Sequence, residues 1–138
     1  MLPSPAGRRV RAPVDVAAVV APRALEDEPR STADASSSRV WLLSLDARLT
    51  LARLVPLPAE PLAILQGALA AGAVRIVVAR TRPSRAVLTT DDSSFAEQLE
   101  AAARVVGVTL VDIVILGDDG FCSLMRLGTV PHVDPRYR

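Results

Sequence analysis

The sequence predicts an α/β domain in which a mixed β-sheet is flanked by helices, with elements in the order β-β-α-β-α-β-β. Three observations lead there. Arg39–Asp46, Val74–Ala79 and Val108–Leu116 are strand-length runs that are apolar at nearly every position, as strands covered on both faces are. Two segments of helical periodicity, Ala59–Ala71 and Ser94–Val106, fall between runs of this kind. Turn chemistry at Asp46-Ala47-Arg48 and at Gly117-Asp118-Asp119-Gly120 then folds strands back as hairpins.

Residues 1–37 are rich in Pro, Ala, Ser and charge, and read as an arm that is disordered or loosely docked. Within it, Val14–Ala21 fits a short helix or a short strand, bracketed tightly by Pro13 and Pro22. The domain proper spans residues 38–128, and residues 129–138 form a tail. In the first strand Val40, Leu42 and Ser44 point one way and Trp41, Leu43 and Leu45 the other. Both sets are mostly apolar, so the strand is expected at the centre, with Trp41 as a core anchor. Leu49–Leu57 returns as an antiparallel strand and stops at Pro56 and Pro58.

Pro61 suits the first turn of the next helix, where its missing N–H costs nothing. Leu62, Leu65 and Leu69, with Ile64 and Ala68, give that helix one apolar face, and Gly72 suits its C-terminal end. The second helix has a capping-box spacing at Ser94 and Glu97. Its expected inner face is Phe95, Leu99, Ala102 and Val106, and Gly107 ends it. After the closing turn, Phe121–Leu127 returns as the last strand.

Composition narrows the functions. Half of the 138 residues are apolar, enough for one core. The net charge is +1, so no global field selects nucleic acid or membrane. The longest apolar runs are strand-sized, no signal peptide is visible, and a cytoplasmic protein without a membrane partner is expected. Cys122 is the only cysteine, which removes internal disulfides and cysteine-based zinc sites. Its alternating surroundings make it a buried thiol rather than a nucleophile.

The chemistry-bearing stretch is Val74–Asp92, in which an apolar strand runs into Arg80-Thr81-Arg82-Pro83-Ser84-Arg85 and then Thr89 and paired acids. All sixteen basic residues of the chain are arginine, whose planar guanidinium matches carboxylate and phosphate. Arg80, Arg82 and Arg85 admit two readings: a solvated loop with local ion pairs, or an anion site near a helix start. Asp92 admits three: a helix N-terminal residue favourable to the dipole, a salt-bridge partner of Arg80 or Arg82, or a metal ligand. Ser84 and Thr89 have no histidine or lysine base nearby and do not read as nucleophiles. Asp118 and Asp119 read as turn formers.

The order of elements, with the local wording of Arg39–Asp46, Leu54–Ala71 and especially Gly107–Leu124 (GVTLVDIVILGDDGFCSL), resembles the JAB/MPN domain of the bacterial RadC family over roughly residues 38–127. The resemblance implies a zinc hydrolase centre built from an upstream Glu, His-x-His-Pro-Ser-Gly and Ser-x-x-Asp, with peptidase or isopeptidase activity and a DNA-repair label. In such a centre two imidazoles and a carboxylate hold zinc, the Glu takes the water proton, and the Ser supports the oxyanion.

Carried over position by position, the resemblance puts Arg80 and Arg82 at the two histidine ligands and Asp92 at the metal Asp. Thr89 falls at the Ser, Ser38 at the catalytic Glu, and Ile113 at a further family histidine. Arginine stays protonated and offers a metal no lone pair. The only histidine, His132, lies in the tail. The expectation is therefore a catalytically inactive RadC-like domain that binds or scaffolds a protein partner, with no catalytic residue, no zinc and no other cofactor. Two alternatives stay open: a zinc-dependent JAB-type metallopeptidase or isopeptidase, and anion or nucleic-acid binding through Arg80, Arg82 and Arg85. A homodimer through the edge strands is compatible with the sequence.

Overall fold

A computed structural model describes residues 4–26, 39–82, 85–86 and 88–124. The elements are α1 (Pro13–Glu26), β1 (Arg39–Leu45), β2 (Leu51–Pro58), α2 (Pro61–Ala70), β3 (Arg75–Thr81), α3 (Thr90–Val106), β4 (Thr109–Gly117) and β5 (Gly120–Ser123). The five strands form one sheet in the order β2-β1-β3-β4-β5. β1 pairs antiparallel with β2 and β3, and β4 pairs antiparallel with β5. Only β3 and β4 are parallel, with α3 as their crossover, so the sheet is mixed as the sequence predicts.

The sheet is buried on both faces because its inner strands are apolar on both. Val40, Leu42, Ile76, Val78, Ile113 and Ile115 meet Ile64 and Leu65 of α2 and Phe95 and Leu99 of α3. Trp41, Leu43, Val77, Ala79 and Val114 of the opposite face meet Val10, Val16, Val19 and Val20. β1 is central and Trp41 is buried, as expected from their alternating apolar sets.

The second layer corrects the reading of the arm. Residues 4–26 are neither disordered nor loosely docked: α1 runs straight through the two prolines, with Pro13 as its first residue and Pro22 inside it. Asp15 caps its start, its Oδ2 accepting the N–H groups of Arg11 (2.9 Å) and Ala12 (3.1 Å). Burial of Val16, Val19 and Val20 against a sheet face that would otherwise meet water outweighs the backbone bond that Pro22 forfeits. Residues 27–37 and the tail at 129–138 lie outside the described residues, as does the expected end of the last strand beyond Leu124.

Two helix faces also differ from expectation. In α2 the buried residues are Ile64, Leu65 and Ala68, while Leu62 and Leu69 are exposed. The helix is apolar nearly all round, so periodicity alone could not orient it. In α3, Ala103 is buried and Val106, in the last turn, is 42% exposed. Gly107 adopts the left-handed conformation (φ 82°) that ends this helix, as its position predicts.

Candidate functional site

Arg80 lies near the C-terminal end of β3, in a row that crosses all five strands of the sheet. It is opposite Val40 on one side and Ile115 on the other, and Ile115 is opposite Cys122. Val40, Ile115 and Cys122 all belong to the core under α2 and α3, so alternation puts Arg80 on that face. Its guanidinium carbon stands 5.0 Å from the ring centroid of Phe95 in α3, within cation–π range. Arg82 follows two residues later on the same face, and its backbone N–H donates to the Leu116 carbonyl (2.8 Å), which prolongs the β3–β4 pairing.

Asp92 joins this strand end to the start of α3. Its side chain is fully buried, and its two oxygens have separate tasks. Oδ1 receives Arg80 Nη1 at 3.2 Å and also Arg82 Nη2. Oδ2 accepts the Thr89 backbone N–H (2.9 Å) and the Thr89 hydroxyl (3.0 Å). The Asp92 N–H donates in return to Thr89 Oγ1 (3.2 Å), completing a capping box. The helix-cap and salt-bridge readings of Asp92 are thus not rivals, since one oxygen serves each. A buried carboxylate is tolerable when paired and hydrogen-bonded in this way.

The expected box at Ser94 and Glu97 is displaced accordingly. α3 begins at Thr90, four residues earlier, because Thr89 and Asp92 have the same spacing and Asp92 has two arginines to meet. Arg80 and Arg82 are 12% and 22% exposed, so the cluster sits at the boundary of the core. Arg82 Nε is buried and makes no hydrogen bond among the described residues.

Arg85 does not join them. It is 81% exposed and turns toward Asp119 (3.7 Å) in the β4–β5 turn. Asp119, read from sequence only as a turn former, also accepts the Ala86 N–H (2.9 Å) and so ties the loop to the hairpin. No local signal marks that contact, which spans 33 residues. Ser38 and the Pro83-Ser84 pair lie outside the described residues.

Cys122 is 1% exposed, and burial, reinforced by the nearby Asp92 charge, pushes its thiol up to about 11. It is a core thiol at neutral pH. A second buried carboxylate, Asp112, accepts the Ser123 hydroxyl (2.6 and 2.7 Å to its two oxygens) and the Ile113 N–H (2.8 Å). Sequence reading missed this pair. The signal available was an acid inside an otherwise apolar run.

The donor set does not suit zinc. Arg80 and Arg82 have no lone pair to give, and both donate to the carboxylate a metal would need. Among the described residues no three His, Cys, Asp or Glu side chains gather at metal-binding distance.

The five-stranded mixed sheet and three helices of the described residues are an α/β arrangement consistent with the JAB/MPN fold. The family model of the RadC-like JAB domain matches residues 23–129, and the chain belongs to that family. No curated protein matches the chain in sequence. No described helix is long and apolar enough to cross a membrane.

Proposed function

We propose that this RadC-like JAB domain is catalytically inactive and acts as a binding or scaffold module for a protein partner. One observation carries the proposal: Asp92, the single acid that the family resemblance puts at a metal-ligand position, is bound by Arg80 and Arg82 from the two other ligand positions. Two guanidiniums there do the electrostatic task of a dication, neutralising a buried carboxylate, and supply neither a Lewis acid nor an activated water. Thr89, at the position of the family's serine, is committed to the helix cap. No hydrolytic step follows from Arg80, Arg82, Thr89 and Asp92 paired in this way.

Hydrolysis of peptide and isopeptide substrates with and without added zinc tests the proposal. The expected result is no turnover above the metal-only control. Zinc-dependent turnover that is lost in Asp92→Ala would overturn it in favour of a metallopeptidase.

A further inference from the structure

We propose that a groove between the N-terminal turn and α1 binds the free C-terminal end of a partner polypeptide, with Arg8 taking its carboxylate and the Ala18 carbonyl its last N–H. The inference rests on the reading of the domain as a binding module and names the part of a protein partner that it holds. The groove has a volume of about 300 Å³. Pro5, Ala18, Val19 and Pro22 give it an apolar floor, and Arg8 and Arg23 are its cationic lining. Ala18, Val19, Pro22 and Arg23 share one side of α1, because positions four apart lie one turn above another.

Both walls are fixed. Val16, Val19 and Val20 anchor α1 in the core beneath it. The opposing turn is closed by the Arg8 N–H, which donates to the Pro5 carbonyl (3.2 Å), and passes through Gly7 at φ 91°. It is tied to the edge of β2 by the Gly7 N–H to the Leu51 carbonyl and the Leu51 N–H to that of Arg8, both 2.7 Å. A site formed before its ligand arrives loses little ordering entropy on binding.

The polar groups of the groove define its ligand. Pro22 has no N–H, so the α-helical bond to the Ala18 carbonyl is missing, and both residues line the groove. An acceptor therefore lies in an otherwise apolar floor. Arg8 is exposed, and its guanidinium forms no salt bridge among the described residues. Asp15, the acid in the first turn of α1, is taken up by the N–H groups of Arg11 and Ala12. A carboxylate for a guanidinium, an N–H for a lone carbonyl and a small apolar side chain for the floor occur together on the last residue of a polypeptide. The volume is roughly that of ten water molecules, which suits a chain end and not a helix or a long acyl chain. An inorganic anion would leave the floor and the Ala18 carbonyl unused.

The test is a chemical-shift titration of the ¹⁵N-labelled full chain with acetyl-Ala-Val bearing a free carboxylate. Saturable shifts are expected at the Arg8, Val19 and Arg23 amides, with a dissociation constant of about 1 mM or tighter. The same dipeptide closed as a carboxamide binds roughly tenfold more weakly, and so does the parent dipeptide to Arg8→Ala with unchanged circular dichroism. Pro22→Ala returns a helical partner to the Ala18 carbonyl, so it raises Tm yet weakens binding about fivefold. Arg85→Ala leaves binding unchanged. No saturable shift at about ten times the expected dissociation constant overturns the proposal. So does equal affinity for the carboxamide, undiminished binding in Arg8→Ala or in Pro22→Ala, or tighter binding of decanoate, inorganic phosphate or a DNA duplex. The groove shares no residue with Arg80, Arg82, Thr89 and Asp92. Zinc-dependent turnover with peptide binding intact would therefore overturn the preceding reading alone, and absent binding without turnover would overturn this one alone.

Discussion

Replacing Asp92 by alanine is the perturbation that the Arg80–Asp92–Arg82 cluster makes most informative. The substitution removes a fully buried carboxylate and leaves two guanidiniums of 12% and 22% exposure facing each other. Breaking a fully buried pair costs about 3–5 kcal/mol. Partial exposure of both arginines, and the Phe95 ring beneath Arg80, reduce that figure. Loss of one half of the capping box adds about 0.5–1 kcal/mol. The expected total is about 2–4 kcal/mol, or roughly 8–16 °C in Tm for a domain of this size. Urea unfolding should show a lower midpoint with an unchanged slope, since the surface exposed on unfolding barely changes. A double-mutant cycle with Arg82→Ala should give a coupling of about 1–3 kcal/mol. Stability within about 0.5 kcal/mol of the parent, or no coupling to Arg82, would refute the view that these side chains hold β3 to α3.

Thr89→Ala removes the hydroxyl that caps α3 and leaves the arginine pairs in place, so chemical denaturation should show a loss of about 1 kcal/mol, clearly smaller than that of Asp92→Ala. Val20→Ala should cost about 1–3 kcal/mol in the same assay, because α1 covers a full sheet face; a neutral result would mean that α1 is dispensable. Cys122 should resist thiol reagents near pH 8 in the folded protein and react on unfolding. Its folded pKa, about 11, lies above that of an unfolded cysteine. The stability it lends is therefore complete below the ordinary thiol pKa and declines as pH rises from there toward about 11, which pH-dependent unfolding of the parent and Cys122→Ala can measure.

The strands were the most legible part of the chain. β1, β3 and β4 are apolar on both faces, and only a central, twice-covered position stabilises such segments. The covering layer was less legible. Pro13 and Pro22 speak against a helix locally, and what stabilises α1 is a sheet face formed by residues far away in sequence. The start of α3 was expected at the Ser94–Glu97 box; the box that forms is Thr89–Asp92, because Asp92 there also meets Arg80 and Arg82 at the end of β3. At the site, sequence supplied the residue types and left open whether Asp92 caps, pairs or ligates. Its two oxygens face different elements, a fact of tertiary geometry. The Arg85–Asp119 contact was beyond reach for the same reason, and the acid inside the apolar β4 run marked Asp112 but not its partner Ser123, since hydrophobic pattern does not specify polar partners across strands and loops.

Zinc content tests the central claim most directly. Protein purified without chelator, dialysed against zinc and then against metal-free buffer, should retain no stoichiometric zinc by elemental analysis. Its Tm should not respond to added zinc, because Arg80 and Arg82 hold the carboxylate a metal would need. A tightly held, stoichiometric zinc that raises Tm and disappears in Asp92→Ala would contradict the account.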